Sequence, residues 1–342
     1  MLIIFLYIST ISITLIFIQS KYLFLIDAPQ DQIHKSTYNK NTPLTGGIYM
    51  FITITTYTLL VECSYYSFLM TTFLFSFLML GIFSDLKANF SPKIRLLLQF
   101  FLVIVFIFLL ELKINKTGLF FLEYFIDNAI FNLFFSSICV IILINGSNFC
   151  DGVNCNVIGY YLIVTLAIFF MELPLPSSFL DIKIIIIIFS VFYLVNLLQK
   201  SFLGDNGVYV ITIFMGVYVI NFINLNNNVS PLLALNFLWY PAFENLFTII
   251  RRLNSSKTID VADGLHFHTL LLEKIFYFNK NFFLSNSLAG VFMNLFMFVG
   301  IFLSINYYND AKILTLILMV NILIYVLVYF IFLTRKTKFK PH

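Results

Sequence analysis

Long apolar runs separated by short polar segments make up the chain from one end to the other. A helix needs about 20 predominantly apolar residues to cross the hydrocarbon core of a bilayer, with a range of about 17–25. Eleven runs come close to this length, so the pattern predicts an all-α bundle of about eleven transmembrane helices. The predicted spans are 2–19, 47–62, 66–84, 95–111, 130–146, 157–172, 182–199, 207–224, 231–250, 284–305 and 312–333.

Composition excludes a soluble protein. Of the 342 residues, 61% are hydrophobic and only 11% are charged, whereas soluble domains carry roughly 25% charged residues. So few charges could not cover the surface of a water-soluble fold. The whole chain, 1–342, is therefore expected to form a single integral-membrane domain. The first apolar run lacks the basic segment and the small-residue cleavage site of a secretory signal, so we expect a retained span.

The positions of lysine and arginine predict the orientation, because cytoplasmic loops of membrane proteins carry an excess of both. With eleven spans, the loops after odd-numbered spans share one face with the C-terminus. That face holds 16 of the 20 basic residues. The bias predicts an external N-terminus and a cytoplasmic C-terminus. The cytoplasmic loops expected to form an active-site face are 20–46, 85–95, 147–156, 200–206 and 251–283.

Acidic residues gather on the same predicted face. Asp85, Asp151 and Asp205 each stand where an apolar run ends. A charge at the bilayer centre costs up to ~3 kcal/mol, so acids near the hydrocarbon usually have a partner or a function. Three such carboxylates could converge on one divalent cation, and hard oxygen ligands suit Mg²⁺ or Mn²⁺ and phosphate chemistry. On charge and spacing alone, three unrelated solvated loop residues are an equally good interpretation.

The residues around these acids indicate an anion-binding site more clearly than the acids do by themselves. The segment Gly204-Asp205-Asn206-Gly207 places an acid at a predicted helix start. Free backbone N–H groups and the helix dipole favour anions there. If the turn around Asn145, Asn148 and Asp151 is helical, their three-residue spacing places all three on one side.

Two histidines and two arginines mark the longest cytoplasmic loop. His266 and His268 are two residues apart, and Arg251 and Arg252 precede them. Clustered cations and imidazoles fit a diphosphate-binding site. An isolated pair of histidines at this spacing is more often an ordinary loop feature.

The cysteines do not predict a metal site or a disulfide framework. Cys63, Cys139, Cys150 and Cys155 lack the paired spacing of zinc ligands. We expect four free thiols.

In their order along the chain, these segments resemble the bacterial polyprenyl-phosphate N-acetylhexosamine-1-phosphate transferases, or glycosyltransferase family 4. That family includes undecaprenyl-phosphate GlcNAc-1-phosphate transferase and phospho-N-acetylmuramoyl-pentapeptide transferase. The resemblance runs from Asp27 to about Glu273. The similar segments are Asp27-Ala28-Pro29 with His34-Lys35 and 42–47, 81–86 with 91–95 and Gln99, 145–154, 202–207, and Tyr240-Pro241 with Arg251-Arg252 and 263–268.

Three positions depart from the family's pattern. Ser84 replaces the first of two adjacent aspartates, Asn154 replaces the second aspartate of another motif, and Cys155 stands where glycine is common. The first two exchanges each remove one negative charge near the expected metal. A hydroxyl and a carboxamide can still accept hydrogen bonds, and the other acids and both histidines remain. We therefore interpret the chain as an active variant.

The resemblance implies transfer of a sugar-1-phosphate of the N-acetylhexosamine type from a UDP-sugar to undecaprenyl phosphate. The products would be UMP and an undecaprenyl-diphosphate-sugar, in the first step of synthesis of lipopolysaccharide O-antigen, capsule or another cell-wall glycan. The enzyme would lie in the bacterial inner membrane with its active site facing the cytoplasm. It would use Mg²⁺ or Mn²⁺, contact bilayer lipid, form a homodimer, and have no nucleic-acid partner.

The resemblance also implies roles for individual residues. Asp85, Asp151 and Asp205 would be catalytic, with Asp205 and Asp151 holding the metal and Asp205 as the first candidate for direct contact. Asp85 would assist at the metal or at the lipid phosphate. The residues expected to bind substrate are Asn148, His266, His268, Arg252, His34 and Lys35. For the last two, a structural capping role is an equally good interpretation.

Two other functions remain open on the sequence. A transporter or flippase of lipid-linked sugars would carry ionisable residues inside its spans. Glu244, in the ninth predicted span, is nearly alone in doing so. A catalytically silent homologue that supports polysaccharide assembly would fit the exchanges at Ser84 and Asn154.

Overall fold

A computed structural model of the chain describes residues 42–61, 64–86, 91–176, 180–254 and 264–334, together with the single positions 7, 10, 11, 14 and 25. Twelve helices lie in these residues, and no β-strand occurs among them. The predicted span 2–19 falls almost entirely outside the described residues, as do His34 and Lys35. The predictions made for them therefore stay predictions.

Each of the ten predicted spans from 47–62 onward corresponds to a helix. The segments 112–129 and 251–283, expected as loops, contain two more helices, α4 and α10. The helices are α1 (Gly46–Val61), α2 (Tyr65–Leu86), α3 (Pro92–Leu109), α4 (Phe120–Ile126), α5 (Ala129–Cys150), α6 (Asn156–Phe170), α7 (Ile182–Leu197), α8 (Gly204–Leu225), α9 (Leu232–Asn254), α10 (Phe267–Asn279), α11 (Phe282–Ile305) and α12 (Ala311–Thr334).

Six of these helices are long and apolar enough to cross a membrane, namely α2, α3, α5, α8, α11 and α12. The helices α6 and α7 are apolar but shorter. The described part of the chain is therefore all-helical, and the protein is a multi-pass membrane protein. Eleven spans and the orientation across the bilayer stay predictions.

Polar residues at the ends of the apolar runs begin several helices. The side chain of Asn128 accepts hydrogen bonds from the backbone N–H groups of Ile130 and Phe131 at the start of α5. Asp181 accepts one from Lys183 at the start of α7. Such caps satisfy N–H groups that have no partner within the helix. They explain why the helices begin where the polar segments end.

The helix α8 lies at the centre of the bundle, packed against α1, α2 and α5. Its side chains are buried without interruption from Asn206 to Val219. By contrast, most side chains of α3 and α12 face outward. The first turn of α8 carries Asp205, so the most buried of the six long apolar helices positions this acid.

Proline in α9 creates a hydrogen bond between helices. Pro241 has no N–H, so the carbonyl of Phe237 one turn earlier has no partner within the helix. The hydroxyl of Tyr160 in α6 donates to this carbonyl at 2.5 Å. A Cβ at Gly146 in α5 would lie 1.9 Å from the Pro241 carbonyl oxygen. Glycine thus allows α5 and α9 to cross in close contact.

Two more glycines, one in α1 and one in α2, allow the start of α8 to pack closely between these helices. A Cβ at Gly47 would lie 2.3 Å from Oδ1 of Asn206, and one at Gly81 would lie 2.3 Å from its Cα. These distances are shorter than any van der Waals contact. The close approach also allows the Gly47 N–H to donate to Asn206 Oδ1 at 2.7 Å.

We expect Gly81→Ala to lower the stability of the protein, because the added methyl group would push against the backbone of Asn206. Overpacking of this kind costs about 1–3 kcal/mol. Thermal unfolding in detergent measures the effect. The matched control is Gly216→Ala in α8, where the nearest atom to a new Cβ is 3.7 Å away. Equal unfolding temperatures for the two variants would contradict the expected close contact.

Candidate active site

Side chains from several helix ends contact one another on one side of the bundle. The end of α2 contacts the start of α8 through Asp85, and the start of α3 reaches the same place through Arg95. The end of α5 contributes Asn148. The structure thus brings Asp85, Arg95 and Asn148 together around Asp205 and the start of α8. The convergence of Asp85, Asp151 and Asp205 on one cation stays a prediction.

Asp205 accepts hydrogen bonds from four side chains. Its Oδ1 accepts from Nδ2 of Asn148 at 2.5 Å. Its Oδ2 accepts from the hydroxyl of Ser84 at 2.5 Å, from Nη1 of Arg95 at 3.0 Å and from the hydroxyl of Tyr209 at 3.3 Å. About a quarter of the carboxylate side chain stays exposed, at 23%. Asp205 thus joins α2, α3, α5 and α8 while remaining accessible.

Asp85 caps the start of α8. Its Oδ1 accepts from the backbone N–H of Asp205 at 3.0 Å, and its Oδ2 accepts from the backbone N–H of Asn206 at 3.1 Å. The Asn206 side chain adds a bond of 2.5 Å to the same oxygen. Gly204 provides the turn before the helix with φ = +66°, a conformation that favours glycine. Asp85 therefore holds Asp205 in place, a contact that was not expected from the sequence.

Ser84 and Arg95 contact each other as well as Asp205. We call Asp205 and the residues bonded to it, Ser84, Asp85, Arg95, Asn148 and Tyr209, the Asp205 cluster. Besides donating to Asp205, the Ser84 hydroxyl accepts from Nη1 of Arg95 at 3.1 Å. A serine at this position keeps a hydrogen bond to Asp205 where a second carboxylate would add a like charge. Arg95 supplies the opposite charge in direct contact. The sequence pointed to Arg95 only as part of a motif, and a cation opposite an acid of a distant helix leaves no signal in local spacing.

The helical turn expected around Asn145, Asn148 and Asp151 holds only in part. Helix α5 continues to Cys150, so Asn145 and Asn148 share a side, where Asn145 donates to Oε1 of Gln99 at 3.2 Å. Asp151 follows as the C-terminal cap residue with non-helical dihedral angles, and its N–H donates to the Asn148 carbonyl at 3.3 Å. Asp151 is half-buried and lies directly beyond the turn that carries Asn148.

The predicted histidines are part of a stack of four planar groups. The guanidinium of Arg252 lies 5.3 Å from the centroid of the Phe149 ring. Phe149 stacks on His266 at 5.6 Å between centroids, and His266 stacks on His268 at 5.5 Å with an angle of 8° between the rings. Burial lowers the pKa of the His268 imidazole well below its usual value, and the nearby His266 and Arg251 lower it further. His268 is therefore expected to be neutral at physiological pH.

Gly152 lies between the stacked rings and the acids. A Cβ at Gly152 would lie 2.1 Å from Nε2 of His268, so only glycine allows the imidazole to pack there. Gly152 directly follows Asp151. Because Asn148 contacts Asp205 and its neighbour Phe149 contacts His266, the two groups of side chains adjoin along the last turn of α5.

Buried groups in α9 and α12 hold the histidine segment. Nδ1 of His266 lies 2.8 Å from Oε1 of Glu244, and the hydroxyl of Tyr325 bonds to the other carboxylate oxygen. Arg251 donates to the Leu265 carbonyl at 2.6 Å. From the sequence, Glu244 was only an isolated acid in a predicted span. Its link to His266 was missed.

The exchange at Asn154, expected near the metal, lies against α11. The backbone N–H of Asn154 donates to Oδ1 of Asn286 at 2.7 Å, and its side-chain amide donates to the hydroxyl of Ser287 at 3.5 Å. Both partners belong to α11. The buried Asn154 side chain therefore contacts α11 and not the Asp205 cluster.

Cys155 occupies a backbone conformation that explains why glycine is common there. Its φ is +65°, in the left-handed region. Burial raises the pKa of the Cys155 thiol to about 12, so this cysteine stays protonated. Cys139, Cys150 and Cys155 are free thiols, as expected. Cys63 lies outside the described residues.

The oxygen ligands near Asp205 are few. Among the described residues, no group of three or more His, Cys, Asp or Glu side chains could hold a metal ion. Mg²⁺ is usually held by one or two carboxylates, with waters and substrate phosphates as the other ligands. The partly exposed Asp205 carboxylate fits that arrangement. It does not fit a cage built from protein ligands alone.

Comparison with known proteins gives one family. Residues 65–223 match the model described as glycosyl transferase family 4, while the comparison with curated proteins gives no match. The matched segment runs from α2 to α8 and contains the whole Asp205 cluster, whereas Glu244 and the two histidines lie beyond it. The match supports an assignment of residues 65–223 to glycosyl transferase family 4, a family of phospho-sugar transferases.

Proposed function

We propose that this protein transfers an N-acetylhexosamine-1-phosphate from a UDP-sugar to undecaprenyl phosphate. An oxygen of the lipid phosphate would attack the β-phosphorus of the UDP-sugar, and UMP would leave. The product would be an undecaprenyl-diphosphate-sugar. The observation that carries the proposal is the contact of Asp205 with Arg95 and Asn148 within the segment that matches the family.

The location of the cluster suits two substrates of different solubility. Asp205 lies at the ends of apolar helices, where a lipid phosphate at the membrane surface and a water-soluble nucleotide can meet. Phosphoryl transfer depends mainly on holding the reacting groups in line and on neutralising charge. A group of polar side chains fixed by several helices provides both.

We assign the residues of the cluster as follows. Arg95 would bind a substrate phosphate, since a guanidinium can donate two parallel hydrogen bonds to phosphate oxygens. Asp205, with Asp151, would hold Mg²⁺ or Mn²⁺, which when bound would neutralise charge on the diphosphate. Asp85 would keep Asp205 in position through the start of α8.

The stack beyond the last turn of α5 would bind the donor nucleotide. Arg252 and His266 would contact the diphosphate, and Asn148 would contact it from the side of Asp205. Neutral His268 would support the ring of His266. We further propose that the reaction begins synthesis of a cell-surface polysaccharide at the cytoplasmic side of a bacterial inner membrane.

The two alternatives have less support. A transporter would use the buried Glu244 for passage, yet Glu244 is bonded to His266, which belongs to the same group of side chains as Phe149 and Arg252. A silent homologue is suggested by Ser84. However, Ser84 keeps a hydrogen bond to Asp205, so the exchange preserves a contact that a silent protein would not need.

We expect Asp205→Asn to abolish most UMP release, because the neutral amide is a weaker ligand for a divalent cation and forms no ion pair with Arg95. Loss of one preorganised electrostatic group costs about 10²–10³-fold in rate. The assay uses protein in detergent with undecaprenyl phosphate, Mg²⁺ and a panel of donors that includes UDP-GlcNAc and UDP-GalNAc.

The control for this experiment is Asp181→Asn, which can still cap α7. We expect it to keep full activity. If the unaltered protein releases no UMP with any UDP-amino sugar, the silent homologue becomes the better interpretation.

We expect Ser84→Ala to slow UMP release by about tenfold, since it removes a hydrogen bond to a charged group. The matched control is Ser76→Ala in the same helix, because the exposed Ser76 hydroxyl bonds only to the Thr72 carbonyl. Initial rates at saturating donor measure the difference. A Ser84→Ala protein as fast as the control would contradict a role for this hydroxyl in holding Asp205.

A further inference from the structure

The helix α9 contains a completely buried acid that the proposed function does not use. Glu244 has an exposed side-chain fraction of 0%. Burying a carboxylate is costly unless its oxygens are hydrogen-bonded. Glu244 has one partner for each oxygen, Nδ1 of His266 at 2.8 Å and the hydroxyl of Tyr325. These two groups satisfy the acid.

The hydrogen-bonding capacity of the three groups determines where the protons lie. An ionised carboxylate can only accept hydrogen bonds. When Glu244 is ionised, the Tyr325 hydroxyl and Nδ1 of His266 both donate to it. With its proton on Nδ1, the His266 imidazole presents Nε2 as the nitrogen for any further partner.

The rings on either side limit the orientation of His266 further. Phe149 stacks on one side and His268 stacks nearly parallel to it, at an angle of 8°. Stacking restrains the tilt of the imidazole but leaves rotation within its plane. The hydrogen bond from Nδ1 to Glu244 removes that rotation.

We propose that Glu244 is a positioning residue for His266. Supported by Tyr325, its carboxylate keeps the Nδ1 proton in place and turns Nε2 toward the substrate. The proposal rests on the proposed function for one part only, namely that the substrate of His266 is the donor diphosphate. The coupling of Glu244 to His266 can be tested separately.

If Glu244 served only to join α9 to α12, it would need only one of its two carboxylate oxygens. The bond between Glu244 and Tyr325 already joins these two helices, and one carboxylate oxygen is sufficient for it. Arg251 adds another link, since it donates to the hydroxyl of Tyr329 at 3.3 Å. The second oxygen of Glu244 contributes to neither link. It is directed at His266.

The first test observes the imidazole directly by nitrogen NMR on ¹⁵N-histidine-labelled protein. The chain has only four histidines, so His266→Gln assigns the signal. We expect Nδ1 of His266 to carry a proton in the unaltered protein. In Glu244→Gln, we expect the Tyr325 hydroxyl to donate to the amide oxygen of the new side chain. Its NH₂ group then faces Nδ1 of His266, so Nδ1 must accept a hydrogen bond from it. The proton should therefore move to Nε2. An unchanged His266 signal in Glu244→Gln would overturn the proposal.

The second test is a double-mutant cycle on UMP release. We expect Glu244→Gln to lower kcat by about tenfold, as expected for loss of one charge-assisted hydrogen bond. If Glu244 acts through His266, the double variant with His266→Gln should be no slower than His266→Gln alone. A double variant that is slower by the full tenfold would overturn the proposal. Thr315→Ala, near the start of α12, is the control and should keep the unaltered rate.

Tyr325→Phe keeps the test decisive if Glu244→Gln does not fold. This variant leaves the carboxylate in place, so we expect the Nδ1 proton to remain and kcat to fall only when His266 is present. An equal loss in the His266→Gln background would contradict the proposal. If the unaltered protein releases no UMP, the proposed function fails, whereas the nitrogen spectra still decide whether Glu244 controls His266.

Discussion

The hydrogen bonds between the Asp85 carboxylate and the start of α8 determine where the rest of the candidate site lies. The first N–H groups of a helix have no partner within it, and α8 is the most buried of the six helices long enough to cross a membrane. A carboxylate is a strong acceptor for them, and it also complements the positive end of the helix dipole. Because Asp85 ends α2, the cap joins two helices and fixes the direction of Asp205.

The charges around Asp205 follow from this arrangement. Asp85 is already used by the α8 start, so Arg95 is the group in contact that balances Asp205. A second acid at the position of Ser84 would compete for the same guanidinium. The serine hydroxyl instead donates to Asp205 and accepts from Arg95. A substrate phosphate must therefore compete with only one carboxylate for Arg95.

The sequence predicted the parts of the protein that depend on local pattern. Apolar runs predicted ten described helices, and acids at their ends predicted the face where Asp85 and Asp205 meet. Periodicity does not tell which helices are neighbours, so the partners of Arg95 and Glu244, 110 and 81 positions away, could not be predicted. The same limit explains Asn154, whose side chain contacts α11. The helix α10 was missed because its segment is too polar and too short to resemble a span.

Glu244 shows why the depth of an acid in an apolar helix does not by itself indicate transport. An acid that carries a proton or an ion across a membrane needs more than one state, and therefore partners that can be exchanged. Glu244 is completely buried and both of its oxygens are bonded to fixed groups, one on α12 and one on the segment before α10. Its two oxygens are hydrogen-bonded in a single arrangement. The identity of those partners, and not its position along α9, therefore argues that Glu244 serves the site at the helix ends.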